Sequence, residues 1–192
     1  AGSSEITMVQ WPSFFVETGF GIDKWLGDIL GPCSFAIFMG IGRVVYATVS
    51  SKIRPDFLIM IFAFVCTCSY LVIAISDIPV ISIIACTVCG ISVSGMWPGV
   101  FSMAAEHFKN SGASLFSLLA MFGDFGCATG PWILGIVSDL SVNNGIADRY
   151  AATLGLSGGK AGMQLGFLVT SAIPFIMFLV LLFSFLRRRR SL

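Results

Sequence analysis

Charge is what this sequence has least of. Only 11% of its 192 residues are Asp, Glu, Lys or Arg, where soluble domains carry about 25%. Apolar residues supply 56%, and the mean hydropathy is +0.93. That balance excludes an ordinary soluble domain and describes a polytopic membrane protein embedded in a lipid bilayer. Histidine occurs once, at His107, so no His pair stands ready for a metal or a base. The six cysteines all lie in apolar runs. Cys66 with Cys68, and Cys86 with Cys89, read as small packing residues, because free Cys behaves as a small hydrophobe. No second Cys pair or histidine completes a metal site, and no cofactor is called for. The opening AGSSEITMVQ has neither an initiator Met nor a basic-then-apolar leader, so the chain reads as a fragment or a processed piece.

What is present is a series of apolar runs broken by turn signals. Residues 1–20 are apolar in patches, interrupted by Glu5, Gln10 and Glu17, and too short for a full span. They read as the second half of a helix, bent at Pro12. A short polar connection follows at 20–28. Full spans are expected at about 29–50, 57–76, 80–105, 113–138 and 162–186, in a single transmembrane domain covering 1–192. Pro55 and Pro79 mark helix starts. Pro98 should kink the third full span and Pro174 interrupts the last. The segment 139–160 is rich in Gly, Ser and Asn and is expected to be an aqueous loop.

The fourth full span organises the chain. It carries one ionisable group, Asp124, roughly 16 Å from the span's start at about 1.5 Å per residue. In a hydrocarbon core about 30 Å thick, that is close to the midplane. A carboxylate there is costly unless it meets a protein interior or a wet cavity. It serves as a site for a proton, an ion or a polar solute, or it only fixes helix packing. Gly123, Gly126, Gly130 and Gly135 surround it and permit close helix approach.

Basic residues orient the bundle. With the C-terminus cytoplasmic, Arg43, Lys52, Arg54, Lys109 and Arg187 to Arg190 fall at or toward the inside, which is eight. Lys24, Arg149 and Lys160 fall outside, which is three. That satisfies the positive-inside rule and the reverse topology violates it. The four-arginine run follows a span directly, so it reads as an anchor at an anionic leaflet and not as a nucleic-acid patch.

Five motifs in this order resemble a known family: SEITMVQW at 4–11 with Phe14 and Phe15, GDILGP at 27–32, GIGR at 40–43, GMWPG at 95–99 and GDFG at 123–126. Together they resemble the C-terminal half of a major facilitator superfamily transporter, of the fucose-permease-like sugar symporter branch, over essentially the whole chain. The resemblance implies an all-α membrane protein: the C-terminal six-helix half of the bundle, with its first helix truncated. It implies secondary active transport of a small polar solute, sugar or sugar-like, by alternating access, in partnership with the missing N-terminal half. It implies a multi-pass protein of the cell's inner membrane. The helices at 57–76 and 162–186 would sit outermost. Two departures are visible: Ala47 and Ser51 stand where the family often has Gly and an acidic residue, and the first half of the transporter is missing.

The candidate proton-coupling residues are Asp124 and Glu5, with Arg43 as their charge partner. Arg43 keeps its charge in practice and needs an acid or a wet cavity at its depth. Candidate solute contacts are Gln10, Trp11, Trp97 and Asp124. Trp97 could stack on a sugar ring or fill space beside the Pro98 kink. Trp25 and Trp132 read as interface-belt residues. Two other functions were weighed. A non-transporting sensor or packing module would pair its intramembrane charges away from solvent. An intramembrane hydrolase would use Ser92 or Ser94, but His107 lies 13–15 residues on, roughly 20 Å along one helix, too far to act as base.

Overall fold

The computed structural model describes residues 1–192 apart from 22, 109–111, 155–157 and 191–192; side chains at 18–20, 153–154 and 188–190 are also outside the description. Lys109 and the side chains of Arg188 to Arg190, counted in the charge balance, therefore lie outside the described residues. Among the described residues the chain is helical and has no strand. Five stretches are long and apolar enough to cross a membrane, at 24–49, 55–75, 79–107, 112–143 and 158–187. This is an all-α membrane protein.

Proline and glycine place nearly every break. The first helical arm is split at Trp11 into α1 (Gly2–Gln10) and α2 (Pro12–Phe20). Pro12 lacks the N–H that would continue α1, yet suits the first turn of α2. Gly21, at φ 65°, closes α2. The expected polar connection at 20–28 is instead largely helical: α3 (Lys24–Asp28) leads through a π-helical turn at Ile29–Cys33 into α4 (Ser34–Val49). Pro32 lies inside that π turn; a proline that cannot donate its own bond favours such a local widening. Gly27 and Gly31 let this arm lie against Ser13 and Pro12 of α2.

Helix α5 (Pro55–Ile75) and helix α6 (Pro79–Ser94) both start on proline. The kink in the third full span falls at Gly95, ahead of α7 (Met96–His107). That is one turn before Pro98, where the ring would clash with the carbonyl four residues back. The last span breaks at Ser171, between α10 (Gly158–Thr170) and α11 (Ala172–Arg190), again just ahead of a proline. Pro131 breaks nothing: α8 (Gly112–Asn143) runs through it.

The expected loop at 139–160 is corrected over its described residues; 155–157 lie outside them. Helix α8 continues to Asn143, and α9 (Ile146–Leu154) follows a turn at Gly145, φ 67°. At 32 residues and about 1.5 Å each, α8 is roughly 48 Å long. Its polar end thus extends past a hydrocarbon core of about 30 Å while staying helical. Ala147 and Ala151 of α9 bury against Ala161 of α10. Lys160, expected in an outer loop, is 5% exposed. Its ammonium lies 3.5 Å from Asp77 Oδ1 and donates to the Asp77 carbonyl, while Gln164 donates to the Ser76 carbonyl. These bonds fasten α10 to the α5–α6 turn.

The core gathers around α5. Met8, Phe15, Phe35, Tyr70, Cys89 and Phe167 are buried in one cluster. Tyr70 Oη donates to the Ser4 carbonyl at 2.7 Å and ties α5 to α1. Helix α5 packs against α6, α7, α10 and α11. Over half of its apolar window is buried, 56%, against 22% for the α3–α4 span and 28% for α8. The helix expected outermost at 57–76 is thus a centre of this bundle, and α4, α8 and the α10–α11 span, also 28% buried, are its open sides.

Candidate functional site

Helix α1 lies in the seam between α8 and the α4–α6 pair, and glycine makes that possible. A Cβ on Gly130 would stand 2.6 Å from Thr7 Oγ1 and 2.8 Å from the Ser3 carbonyl. Gly126 faces the Ser3 amide and Gly135 faces the Trp11 ring. In the predicted glycine stripe of α8, Gly126 and Gly130 are therefore occupied by α1 and Gly135 by Trp11 just after it, while Gly123 is covered by Trp97 of α7. Across the bundle, Gly90 meets the Phe35 backbone and Gly42 meets Ser94, which draws α4 onto α6.

That packing decides where the charges go. Gly123 turns inward, so Asp124, one residue and about 100° further round at 3.6 residues per turn, turns out. Asp124 is exposed, not buried in the bundle interior. Arg43 is exposed on α4, and Glu5 is half-buried on α1 between them. Glu5 lies within electrostatic range of Arg43. Cys127 lies within range of both Glu5 and Asp124. No ion pair closer than 4 Å joins these groups; Arg54 pairs with Asp56 and Lys160 with Asp77 instead. The three ionisable groups singled out in the spans thus belong to one wall, α4–α1–α8.

The polar and aromatic candidates divide. Gln10 is exposed near this wall. Trp11 is half-buried, donates from Nε1 to the Pro131 carbonyl at 3.2 Å, and meets Phe14 edge-on at 6.0 Å. Its indole N–H is already committed to holding α1 on α8. Trp97 lies over Gly123 and Gly2. It stacks on Phe101 at 5.6 Å, and Phe101 stacks on Phe116 at 5.7 Å. Both tryptophans are placed as helix-packing groups. Trp25 and Trp132 are 63% and 65% exposed, as belt residues require.

Ser92 and Ser94 are buried and donate to the carbonyls of Cys89 and Ile91 on their own helix. His107 is exposed at the far end of α7, its Nδ1 2.9 Å from the Met103 carbonyl. The structure does not bring them together. Cys66 and Cys89, read as packing residues, are fully buried with their sulfurs 3.7 Å apart across α5 and α6. Among the described residues no group of three His, Cys, Asp or Glu side chains is placed to hold a metal. Sequence reading missed the Lys160 clasp, because a lysine amid Gly and Ser looks like a loop. It also missed the Ser3–Thr7 face of α1, whose i, i+4 spacing was its signal.

The chain matches no family model, no curated protein and no solved structure.

Proposed function

We propose that this chain is one half of a secondary active transporter of the major facilitator type, working with a second, N-terminal half. The solute is small and polar, sugar or sugar-like, and its movement is coupled to protons. In this reading the α4–α1–α8 wall lines the solute pathway. The protein resides in the cell's inner membrane with its C-terminus cytoplasmic, and the ends of α8 and α10 near Lys160 face outside.

One observation carries the proposal: of the sides that the bundle leaves open, the one formed by α4, α1 and α8 bears Arg43, Glu5 and Asp124, while the α11 side is apolar. Ionisable groups at membrane depth mark ion and solute pathways by default. Transporter halves place their sites at the interface between repeats. Arg43 keeps its charge, so it attracts an ionised Glu5. Protonation of Glu5 removes that attraction, and a solute hydroxyl can then compete for the guanidinium. Asp124 offers a second acid within the same field. Coupling arises when occupation of the site and protonation favour the same state of the two halves.

The test is uptake by the full-length protein in proteoliposomes. Asp124→Asn or Glu5→Gln should abolish accumulation against a gradient while exchange down a gradient survives. If both variants accumulate solute like the parent, the acids are structural and the coupling proposal fails. The committed indoles of Trp11 and Trp97 favour a second reading, a packing or sensor module. Aqueous thiol labelling decides between them: cysteines at positions 43 and 124 react in a transporter half and stay unlabelled in a packing module.

A further inference from the structure

Away from the charged wall, the reactive side chains gather where α5 meets α6. Cys66 of α5 and Cys86 and Cys89 of α6 are buried in the core. The Cys66 and Cys89 sulfurs are 3.7 Å apart. A disulfide bond is about 2.05 Å long, so a closing movement of about 1.7 Å would join them. A thiol in wholly apolar surroundings is inert, but Cys66 is not placed that way. The Ser4 hydroxyl lies within hydrogen-bonding range of it. Among the described residues that hydroxyl has no other partner, so it is available to donate to the sulfur as the thiol proton leaves.

The lipid side of the same helix pair is open. A groove of about 370 Å³ runs between the two helices, lined by Val65, Cys68 and Ser69 of α5 and by Ala85 and Val88 of α6. These residues flank the buried thiols in the chain, so a thin layer of side chains separates the acyl-chain region from the pair. Apolar walls admit a small neutral reagent and exclude a charged one.

We propose that Cys66 and Cys89 are a modification site for hydroperoxides, and that their oxidation locks α5 to α6. The Cys66 sulfur takes the terminal hydroxyl oxygen of the O–O bond and becomes a sulfenic acid. The thiol proton passes to the departing oxygen, which leaves as an alcohol, or as water from hydrogen peroxide. The Cys89 sulfur then attacks the Cys66 sulfur, and the S–S bond forms as hydroxide leaves with the Cys89 proton as water. Two electrons have passed from the thiols to the O–O bond. The lock reaches further because α6 packs against α4 as well as α5. A Cβ on Gly90, next to Cys89, would stand 2.5 Å from the Phe35 carbonyl oxygen of α4. Drawing Cys89 toward α5 loosens that contact, on the helix that bears Arg43. None of this chemistry rests on the transport reading.

The test treats the full-length protein in native membranes with hydrogen peroxide or with cumene hydroperoxide. Free thiols are then capped and the peptides mapped by mass spectrometry without reduction. A Cys66–Cys89 peptide pair, released by dithiothreitol, is expected from both reagents. Faster formation with cumene hydroperoxide assigns a lipid-borne source, and faster formation with hydrogen peroxide an aqueous one. Hydrogen-exchange protection of the amides at 35–42 should be lost on oxidation and return on reduction. Cys89→Ala should leave Cys66 as a sulfenic acid that dimedone traps. Cys68, exposed on the groove wall, reports that the oxidant has arrived. Free Cys66 and Cys89 thiols in membranes where Cys68 is oxidised overturn the proposal. So does a disulfide through Cys86, or unchanged exchange at 35–42 in the cross-linked protein. Labelling at positions 43 and 124 tests the transport reading independently of every one of these outcomes.

Discussion

Two spans are equally open in this bundle and differ in what they show to the outside. The α8 span and the α10–α11 span each have 28% of their apolar window buried. Their mean hydropathies are 1.3 and 2.5. A surface turned to lipid should be the more apolar of two equally exposed surfaces, because nothing else satisfies it. Helix α11 meets that condition: Ile176, Val180 and Phe183 are its most exposed large side chains. Helix α8 exposes Phe122 and Phe125, but with Asp124 between them. Equal exposure with unequal polarity suits the two spans to different surroundings. The α11 surface is fitted to acyl chains, and the α8 surface to something wetter or to another protein surface.

The largest effect should come from closing the seam that turns Asp124 outward. Gly130→Leu drives a side chain into the Ser3 carbonyl and Thr7 hydroxyl. Overpacking costs about 1–3 kcal/mol or more, and backbone leaves little room to yield. Loss of the monodisperse, cooperatively melting bundle is expected on size-exclusion and thermal scans. A Gly130→Leu protein that melts like the parent would dissolve the α1–α8 side of the comparison.

Next in size is Lys160→Met, which strips the clasp from the α5–α6 turn. Hydrogen bonds to charged groups contribute about 1.5–3 kcal/mol, and Asp77 is half exposed, so the lower end applies. Protection of the 76–79 amides in hydrogen exchange should fall. Tyr70→Phe follows. It leaves the Ser4 carbonyl without its side-chain donor at about 1 kcal/mol, seen as a lower melting temperature with an unchanged helical spectrum.

The smallest effect on stability separates the two spans most sharply. Asp124→Leu should change stability by no more than about 0.5 kcal/mol, as expected for exposed sites. Val180→Asp on α11 should instead reduce membrane insertion, since Asp near a helix centre is costly by about 2.5–3.5 kcal/mol. A gain in membrane insertion from Asp124→Leu as large as the loss from Val180→Asp would mean that α8 faces lipid after all.

Much of this was legible from composition and punctuation. Scarce charge and long apolar runs determined the class, the number of full spans and the proline-linked starts of α5 and α6. The α8 glycines Gly123, Gly126, Gly130 and Gly135 marked a helix face that would be approached closely, since a missing Cβ is a local property. Breaks at Trp11, Gly95 and Ser171 each fall within a few residues of a proline, for the same local reason. The helices at 139–143, 146–154 and 158–160 were hidden because their polar residues suit either a loop or a helix leaving the membrane. Which one forms depends on Ala147 and Ala151 finding Ala161, a contact that spacing alone does not encode.

The tertiary structure alone decided direction. Sequence placed Asp124 near mid-membrane depth but could not say whether it pointed in or out. That follows from α1 claiming the glycine face of α8, which rotates the carboxylate away. It likewise could not assign Trp11 and Trp97 to packing, because an indole that binds and one that fills space look the same until the Pro131 carbonyl and the Phe101 ring are found beside them. Depth is set along one helix by counting residues; facing is set between helices by which surfaces exclude each other.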